Sequence, residues 1–134
     1  MRYLLDANII SDLVRNPSGQ VADNIRRVGE QNIFTSIIVT AELRFGVAKK
    51  VLLPHTEQLR IVLGGIETVA FDEPTDATYG SLRAELEKKG TPIGANAMFI
   101  AAHALALGYT LVTDDEREFS QVPGLRVENW LRRT

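Results

Sequence analysis

Residues 2–14 read RYLLDANIISDLV, and this strand-then-helix stretch decides the fold. The segment 2–5 is a short apolar run that stops at Asp6, which predicts a buried strand. Asn8 is a candidate cap for the helix that follows, whose apolar residues pair at i, i+4 spacing. A buried strand that passes directly into a helix is typical of a parallel sheet with helices on its faces.

Strand and helix patterns alternate along the rest of the chain. The other predicted strands are 33–36, 68–71, 109–113 and 125–129. The other predicted helices run from Pro17 to Gly29, over 40–50, over 54–66, from Asp72 to Gly90, and over 95–107. This alternation predicts an α/β fold with a mostly parallel central sheet covered on both faces, in a single domain over 1–134.

The composition narrows the possible chemistry before any motif is considered. The chain has 134 residues, with 17 Asp plus Glu, 15 Lys plus Arg, two His and no Cys. The lack of Cys excludes disulfides, a thiolate nucleophile and Cys-built metal sites, and two distant His disfavour a His-rich zinc site. Carboxylates remain as metal ligands, and they prefer hard ions such as Mg²⁺ or Mn²⁺.

Charge and hydropathy indicate a cytoplasmic protein with no membrane partner. The net charge of −2 excludes nucleic-acid binding through overall basicity, although a local patch or a bound metal can still support it. No apolar run reaches the ~18–20 residues that span a bilayer, and the chain does not open with a signal-peptide pattern.

Acidic residues follow three of the predicted strands. Asp6 ends the first strand, Glu42 lies on the helix after the second, and Asp114 and Asp115 follow the fourth. Ligands of parallel sheets bind beyond the carboxyl ends of the strands, and carboxylates that meet there repel each other unless a cation joins them. Each acid alone has a simpler explanation as a helix cap, an exposed helical residue or a turn residue. The joint pattern therefore carries the prediction of a metal site.

Other chemistries find little support in the sequence. There is no dinucleotide-binding glycine fingerprint, no P-loop and no nucleophile elbow. His55 is expected near a helix start facing solvent, and His103 is expected to be a hydrogen-bonded core histidine. A phosphorylatable receiver-like domain also gathers acids around Mg²⁺, but it needs a Lys after the fifth strand, where 125–130 read LRVENW.

Four segments carry a family resemblance that spans nearly the whole chain. They are LLDANIISDL (4–13), TSIIVTAELRFGV (35–47), PIGANAMFIAAHAL (92–105) and LVTDDEREFSQVPGLRVENW (111–130). Together and in this order they resemble PIN-domain ribonucleases, and most closely the VapC-type toxins of bacterial toxin–antitoxin pairs. The resemblance implies a three-layer α/β/α sandwich and an endoribonuclease that depends on Mg²⁺ or Mn²⁺ and uses a metal-activated water.

The resemblance also assigns site residues. The family's acidic positions fall on Asp6, Glu42, Ala97 and Asp115. Polar neighbours in the same pocket are Asn8, Thr113, Asp114, Arg117 and Glu118. Of these, Arg117 is the best candidate for contact with phosphate or antitoxin, and further basic candidates for the rim are Arg44, Arg83, Lys88 and Lys89, although the last two fit a solvated helix end better.

Ala97 departs from the family pattern, which has Asp directly after the Asn of P-I-G-x-N. Three interpretations stay open: an engineered change that silences a toxic nuclease, which we favour, a naturally degenerate member, and a site that works with its remaining acids. Mg²⁺ sites often rest on only one or two carboxylates. We therefore expect Ala97 to weaken metal binding and RNA cleavage.

The resemblance implies partners as well. VapC-type toxins are usually homodimers and are neutralised by a VapB-type antitoxin whose tail covers the acidic groove. The RNA substrate is expected to be transfer RNA or ribosomal RNA, with initiator transfer RNA first. The alternative is a non-enzymatic module, a degenerate toxin copy that binds antitoxin without cleaving RNA, and Ala97 keeps this alternative open.

Overall fold

The structure is a computed structural model that describes residues 1–49 and 55–131. Strand β1 (Tyr3–Leu5) is the middle strand of its five-stranded parallel sheet. The remaining elements, in chain order, are α1 (Ala7–Arg15), α2 (Gln20–Val28), a 3₁₀ turn (Glu30–Asn32), β2 (Ile33–Ser36), α3 (Ile37–Ala48), α4 (Thr56–Gly64), β3 (Glu67–Val69), α5 (Thr75–Lys88), α6 (Ala95–Leu107), β4 (Thr110–Val112), α7 (Glu116–Phe119) and β5 (Val127–Glu128).

In the strand order β3-β2-β1-β4-β5, the strands that follow β1 are first added on one side of it, as β2 and β3, and then on its other side, as β4 and β5. Tyr3 pairs in parallel with Ile33 of β2 on one side and with Thr110 of β4 on the other. Crossover connections between parallel strands are right-handed. The connections that lead towards β2 and β3 and the connections that lead towards β4 and β5 therefore lie on opposite faces of the sheet. The crevice between β1 and β4, at the carboxyl ends, is therefore the position where such sheets bind ligands.

The core lies between the sheet and its two helical layers. Leu4 and Leu5 are fully buried in β1, and the middle of α6, from Ile100 to Ala104, is buried because small residues such as Ala101 and Ala102 allow close packing. Helix α5 packs along α6, while α1 contacts α2 and α4. The predicted three-layer α/β/α sandwich is confirmed, and within the described residues its sheet is parallel throughout.

Two predicted helix starts are wrong because side-chain caps outweigh the hydrophobic pattern. Helix α1 begins at Ala7, where Asp6 and not Asn8 is the cap, since Ala7 N–H donates to Asp6 Oδ1 at 2.8 Å. Helix α3 begins at Ile37 rather than residue 40, since the amide of Ile38 donates to Ser36 Oγ at 3.0 Å. Asp6 directly follows β1 and Ser36 is the last residue of β2, so in both places a single capping residue lies between the strand and the helix or ends the strand.

Other bounds shift by a few residues. Helix α2 begins at Gln20, three residues after Pro17, and β3 occupies Glu67–Val69 rather than 68–71. Strands β4 and β5 are shorter than predicted, the short helix α7 was missed, and the predicted bounds at Lys50 and Pro54 lie outside the described residues. The prediction of α6 over 95–107 is confirmed. The single domain over 1–134 stays a prediction.

Within 1–49 and 55–131, every helix is too short or too polar to cross a lipid bilayer.

Candidate active site

Asp6 lies at the carboxyl end of β1 and is 6% exposed. Its Oδ1 accepts a hydrogen bond from Ala7 N–H at 2.8 Å, and its Oδ2 accepts one from the Thr113 hydroxyl at 2.7 Å. Burial raises the pKa of Asp6, the two hydrogen bonds oppose that rise, and the charge of Asp115 adds to it. Asp6 is thus a helix cap and also a buried acid beside a second carboxylate.

Thr113, directly after β4, joins the ends of the two central strands. Its hydroxyl is fully buried, donates to Asp6 Oδ2 and accepts from Asp115 N–H at 3.0 Å. The parallel pairing of β1 with β4 brings the two strand ends side by side, which makes this bridge possible. One hydroxyl therefore orients the Asp6 carboxylate and the backbone that carries Asp115, whose own side chain is exposed.

Glu42 reaches the same region from α3. Its Oε1 is buried and has no hydrogen-bond partner. Burial raises the pKa of Glu42 first of all, the charge of Asp6 raises it further, and the side chain of Asn96 lowers it. An unsatisfied buried acceptor costs about 1–3 kcal/mol, so this oxygen favours a cation or a donor beside it.

Asp114 has a different environment from its neighbour Asp115. Its backbone N–H donates to Asn8 Oδ1 at 3.0 Å, and its Oδ1 accepts from Asn129 Nδ2 at 3.0 Å. The Asn129 amide also donates to Glu116 Oε2 at 3.1 Å. These contacts hold the loop after β4 in place, so Asp114 and Asn8 shape the site.

The remaining predicted site residues lie on α6 and α7. Ala97 occupies the first turn of α6, is half-buried and packs against the core. Glu118 Oε2 accepts from Gly94 N–H at 2.7 Å, and the Arg117 side chain is exposed.

The other basic candidates lie on helix surfaces. Arg83 forms an ion pair with Glu87 at 2.9 Å on α5, and Lys89 pairs with Glu85 at 3.1 Å. Both pairs have i, i+4 spacing on exposed side chains, and the pair of Lys89 fits the solvated helix end expected for Lys88 and Lys89. Arg44 and Lys88 are exposed.

His103 is a hydrogen-bonded core histidine, as predicted. It is fully buried, with Nε2 at 3.1 Å from Ala70 O and Nδ1 at 2.7 Å from Ser36 Oγ. A carbonyl oxygen only accepts, so Nε2 carries the proton and Nδ1 accepts from the Ser36 hydroxyl. His55 lies half-buried at the N-terminus of α4.

Sequence reasoning missed Asn96 and Asn129 as parts of the site. Asn129 directly follows β5, so the rule that selected acids at strand ends could also have selected it. Asn96 lies at a helix start, and its relation to Glu42 depends on how α6 packs against α3. No local pattern of residues indicates that packing.

The site can hold a hard cation through oxygen ligands. Asp6, Glu42 and Asp115 supply carboxylates, and their mutual repulsion together with the unpartnered Glu42 Oε1 favours a positive charge among them. Among the described residues, however, no three acidic or His side chains form a ready metal-binding group. Mg²⁺ sites need only one or two carboxylates plus water and phosphate oxygens, so the residues present fit such an ion.

The PIN domain matches residues 3–125, nearly the full length of the chain. The chain therefore belongs to the PIN-domain family. Its relatives are VapC ribonucleases: it is 39% identical to "Ribonuclease VapC2" of Rickettsia felis over 132 residues, covering 97% of this chain and 98% of the relative. It is also 33% identical to the "tRNA(fMet)-specific endonuclease VapC" of Salmonella typhimurium over 133 residues, covering 97% of this chain and 98% of that protein.

Solved structures agree with this assignment. The crystal structure of VapBC2 from Rickettsia felis bound to a promoter DNA fragment contains a chain that superposes with a TM-score of 0.88 at 38% identity, covering 97% of this chain and 99% of that one. The DNA-bound VapBC from Salmonella typhimurium gives a TM-score of 0.85 at 31% identity, with 97% and 98% covered. The predicted resemblance to VapC-type PIN domains is confirmed.

Proposed function

We propose that this chain is an endoribonuclease toxin that depends on Mg²⁺ or Mn²⁺, and that Ala97 weakens or silences it. The observation that carries the proposal is the buried, unpartnered Glu42 Oε1 beside the acid Asp6. A stable fold rarely leaves a carboxylate oxygen in this state unless a ligand completes it. Full-length similarity to proteins named VapC ribonuclease supports the reaction class.

Asp6, Glu42 and Asp115 are the residues that would hold the cation. When bound, such an ion neutralises phosphate charge and lowers the pKa of a water molecule. Asp6 is already oriented by Thr113 and by Ala7 N–H, so its carboxylate needs little reorganisation. The RNA phosphate would enter from the exposed Asp115 side, where Arg117 is close in sequence and can contact it.

Position 97 is where this chain departs from the pattern that the family resemblance leads us to expect. A carboxylate there would lie in the first turn of α6, where the helix dipole favours negative charge. Ala97 removes that charge and one oxygen donor from a site that holds only a few. We therefore expect metal affinity and RNA cleavage to be lower than in an Ala97→Asp variant.

The test is RNA cleavage by the purified chain and by Ala97→Asp, with and without Mn²⁺ or Mg²⁺. We expect the variant to cleave and the parent to cleave little, and we expect Asp6→Asn in the variant background to abolish cleavage. The products should carry a 5′ phosphate and a 3′ hydroxyl. Equal rates for the two chains would contradict the role of Ala97, and a 2′,3′-cyclic phosphate would contradict the mechanism.

Transfer RNA is the proposed substrate class, with initiator transfer RNA first. The support is the name of the Salmonella relative, a tRNA(fMet)-specific endonuclease. Mapping the cleaved ends of total RNA after expression of Ala97→Asp would decide it. Cuts confined to ribosomal RNA would replace this substrate with the other predicted class.

A VapB-type antitoxin is the proposed partner, and a homodimer the proposed assembly. Structural neighbours of this chain were solved as VapBC complexes, which supports the first proposal. An antitoxin Arg placed near Asp6 and Glu42 would supply the positive charge that their environment favours. Sedimentation of the chain alone and with its cognate antitoxin tests both proposals.

A second candidate function is a non-enzymatic module that binds antitoxin. Ala97 is the observation that favours it, because a degenerate copy could keep the binding groove and lose the chemistry. Ala97→Asp separates the two functions. If the variant binds antitoxin and metal but cleaves no RNA, the module is supported.

A further inference from the structure

We propose that Glu118 is a positioning residue that anchors the first turn of α6, and through it Asn96 and position 97, at the acidic site. The inference deepens the proposed ribonuclease function and rests on it. Its basis is the hydrogen bond in which Gly94 N–H donates to Glu118 Oε2 at 2.7 Å, between segments 24 residues apart.

Gly94 is the N-cap residue of α6, directly before the first helical residue. It caps the helix without a side chain, and its φ of −57° is ordinary for any residue, so the backbone angle does not require glycine. The constraint is one of space: a Cβ added at Gly94 would lie 3.2 Å from Glu118 Oε2, so the end of this side chain would have to shift by a few tenths of an ångström. The missing side chain lets the carboxylate approach the helix N-terminus, where the dipole stabilises negative charge.

Glu118 is itself held by the short helix α7. The next residue, Phe119, is 2% exposed and belongs to the core, and its N–H donates to Asp115 O at 3.3 Å. The buried ring fixes α7 against the core, and the backbone contact links α7 to Asp115. Glu118 is therefore carried by a segment that is held in place at Asp115 and Phe119. From this segment its carboxylate reaches Gly94 N–H at the start of α6.

The first turn of α6 faces Glu42 through Asn96, whose side chain lowers the pKa of that acid. Position 97 follows one residue later. By holding Gly94, Glu118 sets where these two positions lie relative to Glu42 on α3. The role needs a hydrogen-bond acceptor and no negative charge, because a Gln side-chain oxygen can also accept from Gly94 N–H.

The first experiment measures solvent exchange of the Gly94 amide by NMR in the full chain. Glu118→Ala should speed exchange about tenfold, since a lost hydrogen bond of about 1.4 kcal/mol corresponds to that factor. Glu118→Gln should stay near the parent value, as should Glu67→Ala, which removes an exposed carboxylate from strand β3. Unchanged exchange in Glu118→Ala overturns the proposal, and so does an equal increase in Glu67→Ala.

If Glu118→Ala does not fold, Glu118→Asp is the second variant. Its side chain is one methylene shorter, so the carboxylate no longer reaches Gly94 N–H from the same backbone position, and exchange of the Gly94 amide should again rise. Exchange at the parent rate in a folded Glu118→Asp would show that the carboxylate does not hold this amide, and would overturn the anchor.

The second experiment uses RNA cleavage in the Ala97→Asp background. We expect Glu118→Ala to lower kcat about tenfold with a smaller change in KM, and Glu118→Gln to retain most of the rate. If Glu118→Gln loses as much as Glu118→Ala, the carboxylate acts in the chemistry and the positioning role is wrong. If Ala97→Asp cleaves no RNA at all, the proposed function fails, while Gly94 exchange still decides whether the anchor exists.

Discussion

The hydroxyl of Thr113 holds together the two strand ends that carry Asp6 and Asp115, so Thr113→Val should destabilise the protein although the two side chains have nearly the same shape. The change removes a hydrogen bond to a buried carboxylate, at 2.7 Å, and the acceptor for the Asp115 amide, at 3.0 Å. The hydroxyl is fully buried, so water cannot replace it at Asp6.

The structure sets the size of the expected loss. A hydrogen bond to a charged group contributes about 1.5–3 kcal/mol, and a neutral bond to an amide about 0.5–1.5 kcal/mol. Burying an extra methyl group in Val returns roughly 0.8 kcal/mol. We expect a net loss of about 1–4 kcal/mol in the free energy of unfolding, which lowers Tm by about 4–13 °C in a chain of 134 residues.

The loss should also depend on pH. The Thr113 hydrogen bond lowers the pKa of Asp6 and so opposes the effect of burial. Without it, the folded-state pKa rises further above the unfolded value of about 3.9. An acid whose pKa is raised in the folded state binds its proton more tightly there than in the unfolded state. The protein therefore loses stability as pH rises through the folded-state pKa, because folding then requires this proton to be released. The deficit of Thr113→Val should therefore be largest near pH 7 and shrink towards pH 4.

Urea unfolding of the parent, Thr113→Val and Thr113→Ser at several pH values provides the assay. Thr113→Ser keeps the hydroxyl and loses only a methyl group, so it should cost less than Thr113→Val and show no added pH dependence. The bridge would be refuted if Thr113→Val matched the parent within about 0.5 kcal/mol at pH 7, a typical effect for a harmless substitution. Equal losses in Val and Ser would assign the effect to packing.

Two further predictions follow from the acid and the histidine in the interior. Glu42→Gln should raise Tm by about 2–4 °C at pH 7, the shift for roughly 1 kcal/mol at this size, because it removes a charge disfavoured by burial and by Asp6. The pKa of Glu42 is raised on folding, so this gain in Tm should fade towards pH 4.5. RNA cleavage by Glu42→Gln in the Ala97→Asp background should be lost. Melting curves at both pH values and a cleavage assay check these outcomes, and an unchanged Tm at pH 7 contradicts the prediction. Burial lowers the pKa of His103, so the unfolded state binds its proton more readily and stability should fall as pH drops below about 6.5. Urea unfolding between pH 7 and 5 should show a shallower fall for His103→Gln than for the parent, and parallel curves would contradict the assignment.

Much of the fold could be predicted from local pattern. The apolar run before Asp6, the all-round apolar helix over 95–107 and the terminating Gly108 are each visible in adjacent residues, because strand and helix periodicities are short-range. The same holds for the candidate acids, since a residue that follows a parallel strand must lie at the carboxyl edge of the sheet. Some of the errors fell on helix starts, where one side chain such as Ser36 decides the boundary, and others on strand ends and on the short helix α7.

The amino-acid sequence alone predicted the order of the elements apart from α7, the candidate acids Asp6, Glu42 and Asp115, and, through the family resemblance, an Ala at position 97 where an Asp is expected. Only the tertiary structure decided how these positions are held. The Thr113 hydroxyl meets Asp6 across 107 residues, and Glu118 meets Gly94 across 24. Such pairs depend on the register of β1 against β4 and on the packing of α7 beside α6. Periodicity shows which face a residue occupies, whereas its partner is chosen by the packed geometry of elements distant in sequence.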